Sequence, residues 1–299
     1  MRFLKIATAA LLAAPLMAMP QGAGGGGGTV AVGRIGVTTQ GQGPDVLLIH
    51  GMASSAAVWD SLAAGLQASH RVHRVQVAGF GGAPAPADAA GPLMAPVAEA
   101  VAQYIASRKL QAPAVIGHSL GGEVALMLAA RHPGRVGRVM AVDALPFYSL
   151  LLNPQATSEG MAVQATAFRD GLLAVSREQS EALQAAAIGR LVRTPAALPA
   201  VVATALASDR ATLASATYDL MTTDLRPELP RIEVPVEVLY AYDTAYGQPA
   251  EAIDEGFRTA YAGLSRAHFT RIDDSLHFVM LDQPERFADA VRRFLAAPH

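Results

Sequence analysis

The chain has 299 residues, enough for one large α/β domain or two smaller ones, and at 52% hydrophobic against 16% charged it is composed to bury a core. A formal charge of −2, with no basic cluster along the chain, gives no electrostatic footprint for nucleic acid. Cysteine is absent, which excludes disulfides, thiolate nucleophiles and zinc–thiolate sites.

In chain order, Arg2 and Lys5 precede an apolar stretch over residues 6–19, followed by small residues. This pattern predicts an export signal over residues 1–23, cleaved after Ala18 or Ala23, and hence a periplasmic or secreted protein. The competing reading, an uncleaved membrane anchor, is disfavoured because the apolar run is short for a bilayer span, so no stable span is expected after processing. Residues 24–28 are all glycine and read as a flexible tether; they lack the lysine of a phosphate loop. Residues 29–38 alternate as a strand does, and 40–44 form a polar turn. Residues 46–49 (Val-Leu-Leu-Ile) are apolar without interruption, as expected of a strand covered on both faces. His50-Gly51-Met52 follows, and Trp59 opens a helical segment to about residue 66. A strand is expected at 72–77, then a glycine-rich loop, a Pro/Ala stretch through Pro96, and a helix over 97–108.

The next stretch organises the rest. An apolar run over 114–116 leads into Gly117-His118-Ser119-Leu120-Gly121-Gly122, and an alanine-rich segment with helical spacing continues over 123–131. Strand, G-x-S-x-G and helix in that order make a nucleophile elbow, in which the flanking glycines omit Cβ atoms that would collide with strand and helix. His132-Pro133-Gly134 ends the helix, and residues 136–142 give another buried strand ending at Asp143. Residues 146–228 then break the rhythm with helical segments and no strand, which predicts a helical cap. The sheet pattern resumes with strands at 235–240 and 268–272 and helices at 251–260 and 284–295. The expected architecture is an α/β fold with a mostly parallel central sheet, helices on both faces, a core of residues 29–145 and 229–299, and the inserted cap.

Four landmarks now stand in one order: His50-Gly51 with Trp59 downstream, the elbow, Leu239-Tyr240-Ala241-Tyr242-Asp243, and His277-Phe278 before Gln283-Pro284-Glu285. In this the chain resembles the α/β-hydrolase superfamily from about residue 29 to the C-terminus. It departs from the family after the 72–77 strand, where relatives often carry an acidic residue and a G-x-G-x-S loop and this chain has Val77-Ala78-Gly79-Phe80-Gly81-Gly82-Ala83. A serine hydroxyl needs a neutral base within reach, and His277, just past the last strand, is the candidate. A carboxylate must hold that ring. Asp243 fits and preserves the order Ser, Asp, His; Asp143, which also ends a strand, is its rival, whereas Asp224, Asp273 and Asp274 read as caps or turn residues. The resemblance implies oxyanion donors at the backbone N–H groups of Met52 and Leu120. It makes His50, Gly51, Gly117, His118 and Gly121 supporting residues. No paired H-x-x-x-H or carboxylate cluster suggests a metal, and no cofactor is expected.

The function these residues imply is an exported serine hydrolase cleaving a carboxylic ester, or a lactone or thioester, through an acyl-serine intermediate. The cap is poor in charge and carries Phe147, Tyr148 and Phe168, which favours an uncharged, partly apolar small-molecule substrate. The same triad also serves amide or carbon–carbon hydrolysis and cofactor-free peroxidation. A ligand-binding receptor that keeps the fold with little turnover is the alternative from another class.

Overall fold

The structure is a computed structural model and describes residues 28–297; the expected signal peptide, and the tether except Gly28, lie outside the described residues. Eight strands form one sheet: β1 (Val30–Val32), β2 (Ile35–Gln40), β3 (Asp45–Ile49), β4 (Arg71–Val77), β5 (Ala114–His118), β6 (Arg138–Val142), β7 (Val236–Tyr242) and β8 (Ala267–Asp273). Their spatial order is β1-β2-β4-β3-β5-β6-β7-β8. The β1–β2 and β2–β4 pairs are antiparallel and all the others parallel. The helices are α1 (Asp60–Leu66), α2 (Met94–Ser107), α3 (Leu120–Arg131), α4 (Ser158–Ala174), α5 (Arg177–Ile188), α6 (Leu198–Leu206), α7 (Arg210–Thr222), α8 (Ala250–Ala260), α9 (Val279–Asp282) and α10 (Pro284–Ala296).

Why β3 is apolar at successive positions follows from the two layers around it. Leu47 and Ile49 pack on one face with Val97, Val101 and Tyr104 of α2 and Val124 and Leu128 of α3. Val46 and Leu48 pack on the other with Trp59, Leu62 of α1, and Phe287 and Val291 of α10. Side chains alternate along a strand, so a strand sandwiched between helices needs apolar residues at every position. The 29–38 segment, read as one strand, is two: β1 and β2 reverse at Gly33, which takes a positive φ of 50°. The helix expected from residue 97 begins at Met94 instead, with Pro96 inside its first turn. Proline is tolerated there because the first N–H groups of a helix lack intrahelical partners anyway.

After β3 the chain crosses to β4 on one side and later returns to β5 on the other, so the sheet's switch point lies between the carboxyl ends of β3 and β5. That crevice is where open α/β sheets bind ligands. Between β6 and β7 the described chain has helices and no strand: α4 packs along α7, and α5 along α6. Thr157 caps α4, and Ser176 with Gln179 forms a capping box on α5. This helical layer is fastened to the sheet side by polar bonds, among them Leu93 N–H and Met94 N–H to Asp219 Oδ2 at 2.7 and 3.0 Å and Gly81 N–H to Ser208 Oγ at 2.9 Å.

Candidate active site

Ser119 sits between β5 and α3 with φ 54° and ψ −124°, a conformation that L-residues seldom adopt. The packing around it dictates the glycines. A Cβ on Gly117 would lie 2.0 Å from Gly121 O, and one on Gly121 would lie 2.3 Å from Ile49 O. Neither backbone can yield. The turn is locked by Ser119 N–H to Val142 O at 2.9 Å and Gly122 N–H to Ser119 O at 2.7 Å. Ser119 Oγ has no protein hydrogen-bond partner among the described residues and faces a cavity of about 570 Å³, a size typical of small-molecule sites.

His277 lines the same cavity, and its Nδ1 lies 2.7 Å from Asp143 Oδ2. The ring is therefore paired with the rival carboxylate, not with Asp243. Asp143 directly follows β6, the strand beside β5, and its other oxygen accepts from Ala241 N–H at 2.9 Å, so both carboxylate oxygens are held. Asp243 does not reach the ring. Its Oδ1 accepts from Ala245 N–H at 2.8 Å, closing the turn after β7, and its Oδ2 pairs with Arg193 at 2.9 Å. The sequence Asp243-Thr-Ala-Tyr-Gly247 carries that signal, since an aspartate two residues before a free N–H in a glycine-ended turn is a turn former. Asp143 itself has φ 44°, a second non-glycine residue in the left-handed region at this rim.

The supporting histidines have defined tautomers. His50 Nε2 accepts from Val77 N–H at 3.0 Å, so its Nδ1 carries the proton and donates to Gly51 O at 2.8 Å. His118 Nε2 donates to His277 O at 3.0 Å, tying the end of β5 to the loop that carries the imidazole. Both rings are fully buried, and loss of hydration disfavours the cation: His50 is pushed down to about 4, and His118 lies well below the ordinary range. Gly51 approaches so closely that a Cβ there would meet Ser119 Cβ at 3.0 Å. Met52 follows, its thioether accepting from Thr217 Oγ1 of α7 at 3.8 Å. Among the described residues the N–H groups of Met52 and Leu120 take no protein acceptor, and Leu120 opens α3, where the helix dipole favours negative charge.

Neutral burial of His50 sets a pH dependence of stability. The unfolded chain takes up a proton as pH falls through about 6.5, while the folded ring does not until about 4, so stability is full above the first value and declines toward the second. The loss from His50 alone is on the order of 3 kcal/mol. Urea midpoints measured from pH 7 to pH 4 check this, as a flat profile would show that the folded ring takes up its proton over the same pH range as the unfolded one. One cavity residue was not anticipated. Glu123 is the only charged side chain in α3 before Arg131, a signal that the sequence does display.

A sheet with this strand order, carrying a serine on a strained turn at its switch point, is the architecture of the α/β hydrolases. The chain belongs to that family: the family model for the alpha/beta hydrolase fold matches residues 44–284. Among curated proteins it is 28% identical over 259 residues to a pimeloyl-[acyl-carrier protein] methyl ester esterase of Nitrosomonas europaea, covering 85% of this chain and 96% of that one. The enzyme of the same name from Aromatoleum aromaticum is 30% identical over 250 residues, covering 81% and 94%. Among solved structures, a hydrolase from Pseudomonas aeruginosa PA01 superposes with a TM-score of 0.75 at 23% identity over 91% of this chain and 99% of that one. The enol-lactonase from Burkholderia xenovorans LB400 gives 0.72 at 22% identity over 90% and 100%. These two structural matches speak for the fold.

Proposed function

We propose that the protein is a serine hydrolase that cleaves carboxylic esters of small, uncharged and partly apolar molecules through an acyl-serine intermediate. The observation that carries this reading is the imidazole of His277, held by Asp143, on the wall of the cavity into which the strained turn presents Ser119. The relatives' names, which describe methyl ester esterases, support the reaction class.

The chemistry runs from the tautomer. Asp143 accepts a hydrogen bond from Nδ1–H of His277, leaving its Nε2 free as a base. Nε2 takes the Ser119 proton as Oγ attacks the ester carbonyl, and the oxyanion is received by the N–H groups of Met52 and Leu120. Collapse breaks the carbon–oxygen bond to the alcohol, which leaves with the proton from Nε2. Water then repeats the sequence on the acyl-serine, releasing the acid and restoring Ser119. Apolar walls from Leu145, Leu213, Leu220 and Ile253 exclude bulk water from this exchange. Hydrolysis of p-nitrophenyl butyrate with a burst of p-nitrophenol equal to the enzyme concentration is the expected result; binding of the ester without release favours the receptor alternative.

We propose further that residues 1–23 direct export, supported by Arg2, Lys5 and the apolar run after them. Recovery of a form lacking them outside the cytoplasm tests this, and full-length protein confined to the cytoplasm contradicts it. Among the described residues no helix is long and apolar enough to cross a membrane.

A further inference from the structure

One carboxyl in the cavity has no task in the reaction just described. Glu123 lies one helical turn after Ser119, its own N–H donating to Ser119 O at 3.2 Å, and the residue is 2% exposed. Its Oε2 is sealed from solvent without any hydrogen-bond partner, and among the described residues no side chain or backbone group bonds its Oε1, the oxygen left open to the cavity. A buried carboxyl without a partner costs stability, so an uncompensated one on a cavity wall marks a place where a ligand completes the bonding. The charged groups that act on it are the carboxylates Asp219 and Asp224, the second of which is itself paired with Arg226 at 2.6 Å. Burial and these like charges push the Glu123 carboxyl well above the usual carboxylate range, which favours its neutral form. A neutral carboxyl both donates and accepts a hydrogen bond. Tyr148, lining the same cavity, lies within electrostatic reach of it, and the apolar residues Ala144 and Leu145 lie on the same cavity wall.

We propose that Glu123 is the recognition group for a neutral hydroxyl or carbonyl carried by the substrate a few bonds from the scissile ester, which makes oxygenated esters, rather than plain alkyl ones, the preferred substrate class. The inference rests on the serine-esterase reading and narrows it. The distance along the chain sets the reach: one turn of helix is about 5.4 Å, so a group hydrogen-bonded to Glu123 sits near the carbonyl that Ser119 attacks. A site built to pair a substrate hydroxyl discriminates against the analogue that lacks it, because its own polar group is then left unpaired.

The test compares isosteric esters in the wild type, E123Q and E123L. Acyl-side probes are p-nitrophenyl 3-hydroxybutyrate and 3-methylbutyrate; alcohol-side probes are 2-hydroxyethyl and propyl butyrate; choline butyrate and 3,3-dimethylbutyl butyrate report on a cation. The expected result is an oxygenated-to-alkyl ratio of kcat/KM of about ten or more for at least one neutral pair. That ratio persists in E123Q, whose amide also donates and accepts, and collapses toward one in E123L. Neutral pairs that are not distinguished, a ratio that E123L leaves intact, or a preference for choline lost in both variants would each overturn the proposal. Circular dichroism melting confirms that the variants are folded, with E123M replacing E123L if the latter melts below assay temperature. If no ester is turned over by any form, the esterase reading fails separately. The same pairs are then unhydrolysed ligands, and calorimetric dissociation constants supply the ratio.

Discussion

Ser119→Ala is expected to lower kcat for p-nitrophenyl butyrate by on the order of 10⁶, with His277→Ala costing about as much and the double variant little more. The non-additivity is the informative part. A base without its nucleophile, or a nucleophile without its base, leaves the same residual rate, the one that the oxyanion donors and binding alone provide. Alanine at 119 also relieves nothing in the backbone, since the φ of 54° is imposed by the close packing of Gly117 and Gly121 and not by the side chain. Melting temperatures near the wild-type value therefore separate loss of chemistry from loss of fold. Losses that multiply would show that the two residues act in different steps.

Asp143→Asn is expected to lower kcat by about 10⁴, and Asp243→Asn by no more than about fivefold. The first effect follows from the hydrogen bonds. Ala241 N–H donates to Oδ1 of Asp143, so an asparagine there places its carbonyl oxygen on that donor and turns its NH₂ toward Nδ1 of His277. The ring must then accept at Nδ1 and carry its proton on Nε2, the tautomer that cannot take a proton from Ser119. The second effect is that of weakening a turn contact and an ion pair whose arginine is half exposed, worth up to about 1 kcal/mol. Initial rates of the two variants in one assay decide between the acids, and a greater loss at residue 243 would return the role to the later strand.

Much of this arrangement was legible in the chain. The uninterrupted apolar residues of β3 announced a strand covered on both faces, and Gly117-x-Ser119-x-Gly121 announced the turn, because each of these glycines stands where another backbone passes too close for a Cβ. The acid was not fixed in the same way. Asp143 and Asp243 both follow strands, and their difference is spatial: β6 borders β5, β7 lies one strand further out, and Asp243 is already engaged by Arg193 from the helical layer. The β1–β2 reversal at Gly33 escaped because alternation continues through it. The early start of α2 escaped because Pro96 reads as a helix boundary when it lies inside the first turn. Glu123 was visible as an isolated charge on an apolar helix, but its burial on the cavity wall emerges only from the fold.

In the proposed mechanism Ser119 is made nucleophilic by an imidazole that Asp143 orients. It is tested most directly by intact-protein and peptide mass spectrometry after brief treatment with a fluorophosphonate at neutral pH, run in parallel on the wild type, Asp143→Asn and Asp243→Asn. The expected result is a single adduct on Ser119 in the wild type and in Asp243→Asn, forming far more slowly in Asp143→Asn. An adduct on another residue, or labelling of Ser119 at the wild-type rate in Asp143→Asn, would contradict it.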